Sequence, residues 1–135
     1  MIWVNKDMQT EYQEQQTSTP EPTVIGPPAS GSQLPFSALA KVKNIQAENI
    51  FIKASWIPKN IKFYNKRTPD EHVVILAQGE IVVFDKDNNG IRYIAPASTV
   101  IPANTRFAAY TLEDCVLYCV HGTLETDPEV LDKTY

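Results

Sequence analysis

The chain has 135 residues, of which 43% are hydrophobic and 21% charged, a composition that allows one folded domain and excludes a wholly disordered chain. Its formal net charge of −4 at pH 7 argues against a specific nucleic-acid partner. No apolar run approaches the about 18 residues that a membrane-spanning helix requires, so we expect no membrane association.

Residues 1–35 differ in composition from the rest of the chain. Five of the ten prolines lie between positions 20 and 35, and glutamine, serine and threonine fill many of the other positions. Such a segment buries too little apolar surface to offset its ordering entropy, which predicts an extended, low-complexity arm. A frayed terminus is one interpretation. The other is an arm that docks on another protein through the apolar residues near its start, Ile2, Trp3, Val4, Met8 and Tyr12.

From residue 36 to 123, short runs rich in β-branched and aromatic residues alternate with turn signals. This regular spacing predicts a single all-β barrel or jelly roll. The predicted strands are residues 49–54, 60–64, 71–77, 80–84, 91–94, 99–101, 106–110 and 115–120. In the short C-terminal tail, residues 124–135, Asp127 as N-cap followed by Pro128 predicts a short helix.

Two of the predicted strands, residues 71–77 and 80–84, are apolar on both faces. One face can fill a barrel, whereas the other also needs cover, and a second copy of the chain is the simplest cover. The charges are also segregated. Residues 36–68 carry seven basic side chains and one acidic, and residues 69–135 carry four basic and eleven acidic. Both segments can be solvated surface, or a basic edge of one subunit can meet an acidic edge of another.

The only two histidines, His72 and His121, are the candidates for imidazole chemistry. Each alternates with apolar residues along its predicted strand, so both side chains can point into the barrel. Together with Glu71 or Cys119 they could hold zinc or iron. The alternatives are two hydrogen-bonded structural histidines and a metal-free ligand pocket.

The two cysteines, Cys115 and Cys119, lie four positions apart on one predicted strand. Their Cα atoms would be about 13 Å apart, and a disulfide spans at most about 7 Å. We therefore predict reduced thiols in the core. The first seven residues show no signal-peptide pattern, and both observations favour a reducing cytoplasm.

Residues 71–121 resemble the RmlC-like cupins. Residues 71–80 are similar to the first cupin motif, which ends in L-x-x-G-E or L-x-G-E. Residues 101–106 are similar to the second motif, with Asn104 where glycine is usual. The resemblance implies a single cupin barrel, and the N-terminal arm predicted from the composition of residues 1–35 lies outside it.

A more particular resemblance covers residues 106–115 and the closing Cys119-Val120-His121. It is to small uncharacterised cupin-like proteins of tailed bacteriophages, in which an arginine, a tyrosine and a Glu-Asp pair precede a closing Val-His. In this sequence the corresponding residues are Arg106, Tyr110 and Glu113-Asp114. The resemblance implies a bacteriophage origin.

The sequence departs from the metal-binding cupins at the ligand positions. His72 falls on the glutamate position of the first motif, and the preceding histidine positions fall among residues 65–68. The second-motif histidine would be Arg106 or Phe107. The resemblance therefore implies neither a metal nor another cofactor. No catalytic residue is predicted, since the His–Asp base pair of the sugar-modifying cupins also has no clear counterpart.

These observations together predict a non-catalytic structural protein of a bacteriophage virion, acting in capsid decoration, collar or tail attachment and assembled in the host cytoplasm. Its expected partners are itself, through the barrel, and other virion proteins, through the arm. One alternative is a small-molecule-binding cupin of the infected cytoplasm, with His72, Arg106 and His121 as weak ligand candidates. A cupin sugar isomerase or metal oxygenase is the other.

Overall fold

The computed structural model describes residues 3–4, 10–12, 23–26 and 34–135, which form two six-stranded sheets. The strands are β1 Trp3–Val4, β2 Thr10–Tyr12, β3 Thr23–Ile25, β4 Lys41–Ala47, β5 Ile50–Ile57, β6 Ile61–Tyr64, β7 His72–Gln78, β8 Glu80–Phe84, β9 Gly90–Ile94, β10 Ala97–Ile101, β11 Ala108–Thr111 and β12 Cys115–Gly122. Sheet A has the order β1-β10-β7-β12-β5-β4 and sheet B the order β2-β9-β8-β11-β6-β3.

The predicted all-β jelly roll is confirmed, and strands β5 to β12 correspond to the eight predicted strands. Their period-2 alternation turns one face of each sheet inward. The inward side chains form the core, with partly buried Cys119 packed against it. Its buried members are Ile25, Ala40, Ile57, Ile61, Phe63, Val74, Leu76, Ile81, Val83, Tyr93, Ala97, Ile101, Ala109, Cys115 and Leu117. The prediction of reduced core cysteines is also confirmed.

Strand β4 was not among the predicted strands. It pairs with β5 along its whole length, from Lys41 opposite Trp56 to Ala47 opposite Ile50. Every residue of β4 is exposed, and lysines occupy positions 41 and 43. An edge strand with no buried face shows no alternation of apolar and polar residues, so the pattern that reveals the other strands is absent here.

Three described segments of residues 1–35 pair with strands of the same chain. Strand β1 lies beside β10, β2 beside β9, and β3 runs parallel to β6, where Ile25 is fully buried. Backbone groups make the pairing at a sheet edge, and β3 also adds the side chain of Ile25 to the core, so short stretches of a low-complexity segment can take part. Of the predicted docking residues, Trp3, Val4 and Tyr12 belong to β1 and β2, and Ile2 and Met8 lie outside the described residues. Docking of the arm on another protein stays a prediction.

The predicted C-terminal helix is confirmed as α1, Pro128–Thr134. Asp127 caps it, because its carboxylate accepts a 2.9 Å hydrogen bond from the backbone N–H of Glu129. Leu131 is fully buried, and it packs with Phe51 of β5 and Tyr135 in a cluster separate from the main core. The tail is therefore packed on the barrel. Within the described ranges, no helix has the length and apolar character needed to cross a membrane.

Candidate functional site

The barrel end beneath α1 brings the two histidines together. His72 begins β7 and His121 lies near the end of the neighbouring strand β12, both side chains inward and less than a tenth exposed. Their ring centroids are 4.3 Å apart. The ring of Tyr135 stacks on His121 with a centroid distance of 4.2 Å. Three aromatic rings thus form one continuous stack at the mouth of the barrel.

Among the described residues, a hydrogen-bond partner at Nδ1 orients the ring of His72 but not that of His121. Thr68 Oγ1 lies 3.3 Å from Nδ1 of His72. The same hydroxyl donates to the carbonyl oxygen of Asp70, so it accepts the proton that Nδ1 carries. His121 Nδ1 is buried and has no hydrogen-bond partner among the described residues.

Burial keeps both imidazoles neutral at pH 7. It lowers the pKa of His72, and a hydrogen bond to the backbone of Asp70 partly opposes this effect. Burial likewise lowers the pKa of His121 to about 3, and repulsion by His72 in its protonated form and by Lys53 lowers it further. A neutral, ring-stacked His121 is a structural element of the barrel mouth in this conformation.

Helix α1 is held over the mouth by polar contacts with the barrel. Lys53 Nζ of β5 lies 3.1 Å from Asp132 Oδ1, which also accepts a 2.9 Å hydrogen bond from Asn44 of β4. Lys66 donates to the carbonyl oxygen of Lys133, and the Tyr135 hydroxyl lies 3.4 Å from a carboxylate oxygen of Asp70. The hydrogen bonds to Asp132 lower the pKa of its carboxyl group. These contacts make α1 a cover for the barrel end.

A chamber of about 230 Å³ lies beside this cover. Two lysines contribute to its lining, and burial lowers the pKa of one of them, Lys66, as does the charge of Lys53. Neither histidine lines it. The lining residues are Phe36, Val42, Lys53, Ser55, Phe63, Tyr64, Asn65, Lys66 and Tyr135. A small-molecule role stays a prediction, and the polar groups that would serve it are lysine, serine and asparagine side chains.

Arg106, the third predicted ligand residue, lines a different groove from that chamber. Its guanidinium lies 4.9 Å from the ring centroid of Tyr64, and the groove contains neither histidine. The structure therefore brings His72 and His121 together, while Arg106 lines another surface. The grouping of the three residues came from sequence motifs, which do not report which cavity a loop residue faces.

The remaining candidate metal ligands are not arranged as a site. Glu71 is exposed, and burial raises the pKa of Cys119 to about 11, so its thiol is protonated at pH 7. Within the part of the chain that the structure describes, no group of three or more His, Cys, Asp or Glu side chains could hold a metal ion. Asn65, near the expected histidine positions, donates instead to the backbone carbonyl of Thr105 at 2.9 Å.

The outer face of sheet A is a second candidate site. By strand register, outward side chains of five neighbouring strands form one largely apolar surface, which also carries Lys41 and Lys43 at its β4 edge. Several of its apolar side chains are more than a third exposed. We call this surface the sheet A face. Its apolar members are Ile45, Ile50, Ile52, Trp56, Val73, Ile75, Val100, Val116, Tyr118 and Val120.

Comparison with known proteins identifies the fold. No protein-family model matches the chain, and no curated protein matches it. Solved structures do match. A cupin superfamily protein of Desulfitobacterium hafniense superposes with a TM-score of 0.51 at 13% identity, over 63% of this chain and 78% of the other. A cupin-2 domain protein of Shewanella frigidimarina gives 0.50 at 16% identity, over 62% and 80%. The chain has a cupin fold.

A third similar structure is the oxalate decarboxylase of Lactobacillus farciminis in complex with formate. It gives a TM-score of 0.55 at 16% identity, over 67% of this chain and 30% of the decarboxylase chain. At such identities the likeness shows the fold alone. The resemblance to cupins is therefore confirmed as a fold relationship, and the bacteriophage relationship stays a prediction.

Sequence reasoning did not single out several residues of the barrel mouth. Lys53 and Ser55 lie on the inward face of β5, between the buried Phe51 and Ile57. A lysine at an inward position is unusual, and this pattern could have indicated a polar site in the barrel. The stacking of Tyr135 on His121 had no such signal, since it depends on where α1 docks.

Proposed function

We propose that this cupin is a non-catalytic structural or interaction protein that self-associates through the sheet A face. One observation carries the proposal, namely the largely apolar surface that spans five strands, with lysines only at its β4 edge. The outer face of an antiparallel sheet is usually polar where water covers it. Here Val73 is 38% exposed, Val100 49% and Trp56 40%. An apolar surface of this extent is typical of a protein–protein interface.

The non-catalytic part of the proposal is supported by the state of the two histidines. Tyr135 stacks on His121, the Thr68 hydroxyl engages His72, and burial holds both imidazoles neutral. A general base must reach the proton that it abstracts. Beneath α1, these rings pack on one another and on the tail of the chain.

Val100→Glu tests self-association, because Val100 lies opposite Val73 near one side of the sheet A face. We expect the unmodified chain to form a discrete oligomer. The glutamate would bury an unpaired charge in the contact and weaken association more than about a hundredfold. Light scattering coupled to size exclusion should then give the 15.2 kDa mass of one chain, with an unchanged circular dichroism spectrum.

Leu124→Glu is the matched control, since Leu124 is 86% exposed and lies outside the strands. This variant should keep the mass of the unmodified protein. A monomeric unmodified chain, or a Val100→Glu variant that keeps the oligomer mass, would contradict the proposed interface.

More specifically, we propose that the chain is a component of a bacteriophage virion, acting in capsid decoration, collar or tail attachment. Its support is the likeness of residues 106–121 to small cupin-like phage proteins. Mass spectrometry of washed particles of the encoding phage should detect the chain at a constant ratio to a capsid protein. Trp3→Ala, which leaves the buried Ile25 in place, should reduce that ratio if the arm docks the protein. Absence of the unmodified chain from washed particles rejects the virion role.

A further inference from the structure

The chamber beside α1 takes its lining from both sheets and from the C-terminal tail. Lys53 and Ser55 come from β5 of sheet A, Phe63 from β6 of sheet B and Tyr135 from the end of the tail. Its volume of about 230 Å³ is below the roughly 300–1,000 Å³ that is usual for sites of drug-sized ligands, so it suits a smaller molecule. Since neither histidine lines it, the polar groups available to such a molecule are others.

Aromatic rings form much of the apolar side of the chamber. Phe36 and Phe63 meet edge to face, with ring centroids 6.1 Å apart and an angle of 80° between the ring planes. Tyr64 and Tyr135 also contribute to the lining. Aromatic rings pack favourably on a further ring in edge-to-face or offset arrangements. This side of the chamber therefore favours a ligand that carries an aromatic ring.

Ser55 adds an unpaired hydroxyl to the same chamber. The residue is 8% exposed, and the residues opposite it on β4 and β12 are the apolar Val42 and Leu117. Within the described part of the chain, its Oγ atom makes no hydrogen bond. Buried hydroxyl groups are nearly always hydrogen-bonded. A buried hydroxyl that lines a cavity and lacks a protein partner indicates that its partner is a molecule in the chamber.

The two lysines of the lining keep donor capacity beyond their contacts with the tail. Lys53 Nζ donates to Oδ1 and to the backbone oxygen of Asp132, at 3.1 and 3.3 Å, and Lys66 Nζ donates to the backbone oxygen of Lys133. An ammonium group has three donors, so among the described residues Lys53 uses two of them and Lys66 one. Burial lowers the pKa of Lys66, and the charge of Lys53 lowers it further, which means that the two ammonium groups lie close enough to act on one anion.

We propose that this chamber binds a small aromatic carboxylate. The aromatic ring packs on Phe36 and Phe63, and the carboxylate accepts hydrogen bonds from the Ser55 hydroxyl and from the ammonium group of Lys66. Hydrogen bonds of this kind are charge-assisted and stronger than those between neutral groups. The carboxylate uses donors that α1 leaves free, so the helix can stay in place. This inference is independent of the sheet A face.

NMR titration of the full chain with 3-phenylpropionate tests the proposal. We expect a Kd of about 1 mM or lower, and binding at least about tenfold weaker for the uncharged 3-phenylpropanamide. Ser55→Ala removes a hydroxyl that has no hydrogen bond to lose, and it should weaken binding of the carboxylate about fivefold or more. Lys66→Gln should weaken it about tenfold. Ser98→Ala on β10 and Lys43→Gln on β4 are the matched controls, and both should bind as the unmodified chain does.

Three results would overturn the proposal. One is the absence of binding at 3-phenylpropionate concentrations of about 10 mM. Another is equal affinity for the carboxylate and its amide, since the lysine would then not recognise the charge. The third is a Ser55→Ala variant that binds as tightly as Ser98→Ala. Binding that both chamber variants weaken and neither control changes supports the proposal, and the Ser55→Ala result does so without altering any contact of α1.

Discussion

Gly79→Ala should lower the free energy of unfolding by about 3 kcal/mol, since a left-handed conformation costs about 1–2 kcal/mol and a forced contact about 1–3. Gly79 joins β7 to β8 with φ at +96°. A Cβ atom there would lie 2.4 Å from the backbone oxygen of Asp114 and 2.7 Å from Cys115 Sγ. Neither atom can move without disturbing the start of β12. Urea denaturation followed by circular dichroism measures the loss.

Gly122→Ala is the matched control for this substitution. Apart from its chain neighbours, no atom of the described residues lies within 4 Å of the Cβ that it would add at the end of β12. We expect a change within about 0.5 kcal/mol, as for most exposed substitutions. If Gly79→Ala and Gly122→Ala unfold at the same urea concentration, the close approach of the β7–β8 connection to β12 is wrong.

Leu131→Ala should lower the free energy of unfolding by about 3.5 kcal/mol, the middle of the range for buried leucines. Leu131 is the one fully buried residue of α1, and it packs with Phe51 and Tyr135. Its loss removes the main apolar attachment of the helix to the barrel mouth. Val130→Ala, at a 43% exposed neighbouring position, should change stability by less than about 1 kcal/mol. Chemical denaturation compares the two variants.

The same pair of variants separates detachment of α1 from general unfolding. Burial lowers the pKa of His121 to about 3, and Tyr135 contributes to that burial by stacking on the ring. When the helix detaches, water reaches the imidazole and its pKa rises toward the ordinary value. Titration of the histidine ring protons by NMR should show this rise in Leu131→Ala and not in Val130→Ala. An unchanged His121 titration in folded Leu131→Ala would mean that α1 does not cover the ring.

The alternation of apolar and polar residues was sufficient to predict a strand wherever one face of that strand is buried. It located β5 to β12 and placed His72 and His121 on inward positions, because the same alternation that buries Val74 and Leu117 fixes the faces of these strands. It failed for β4, whose seven residues are all exposed. It also gave no indication that described parts of residues 1–35 pair with the sheets, since strands of 2 or 3 residues are too short to show an alternation.

The candidate site was predictable only in part. Adjacent strands bring the two histidines within 4.3 Å, but the third ring of the stack, Tyr135, arrives from a helix whose position depends on Leu131 and on polar contacts of Lys53 and Asn44. The groove that Arg106 lines depends on contacts between segments up to 44 positions apart, from Lys62 to Arg106. Tertiary structure, and not local pattern, assembles both.

The reactivity of the two cysteines can report local opening of this barrel. Burial raises the pKa of Cys115 to about 12 and that of Cys119 to about 11, so neither forms the reactive thiolate at pH 8 while the barrel is closed. Cys115 lies beside Gly79, and Cys119 lies opposite Lys53, which contacts α1. Site-resolved alkylation of the native chain therefore records which of these two regions opens first, without any introduced label.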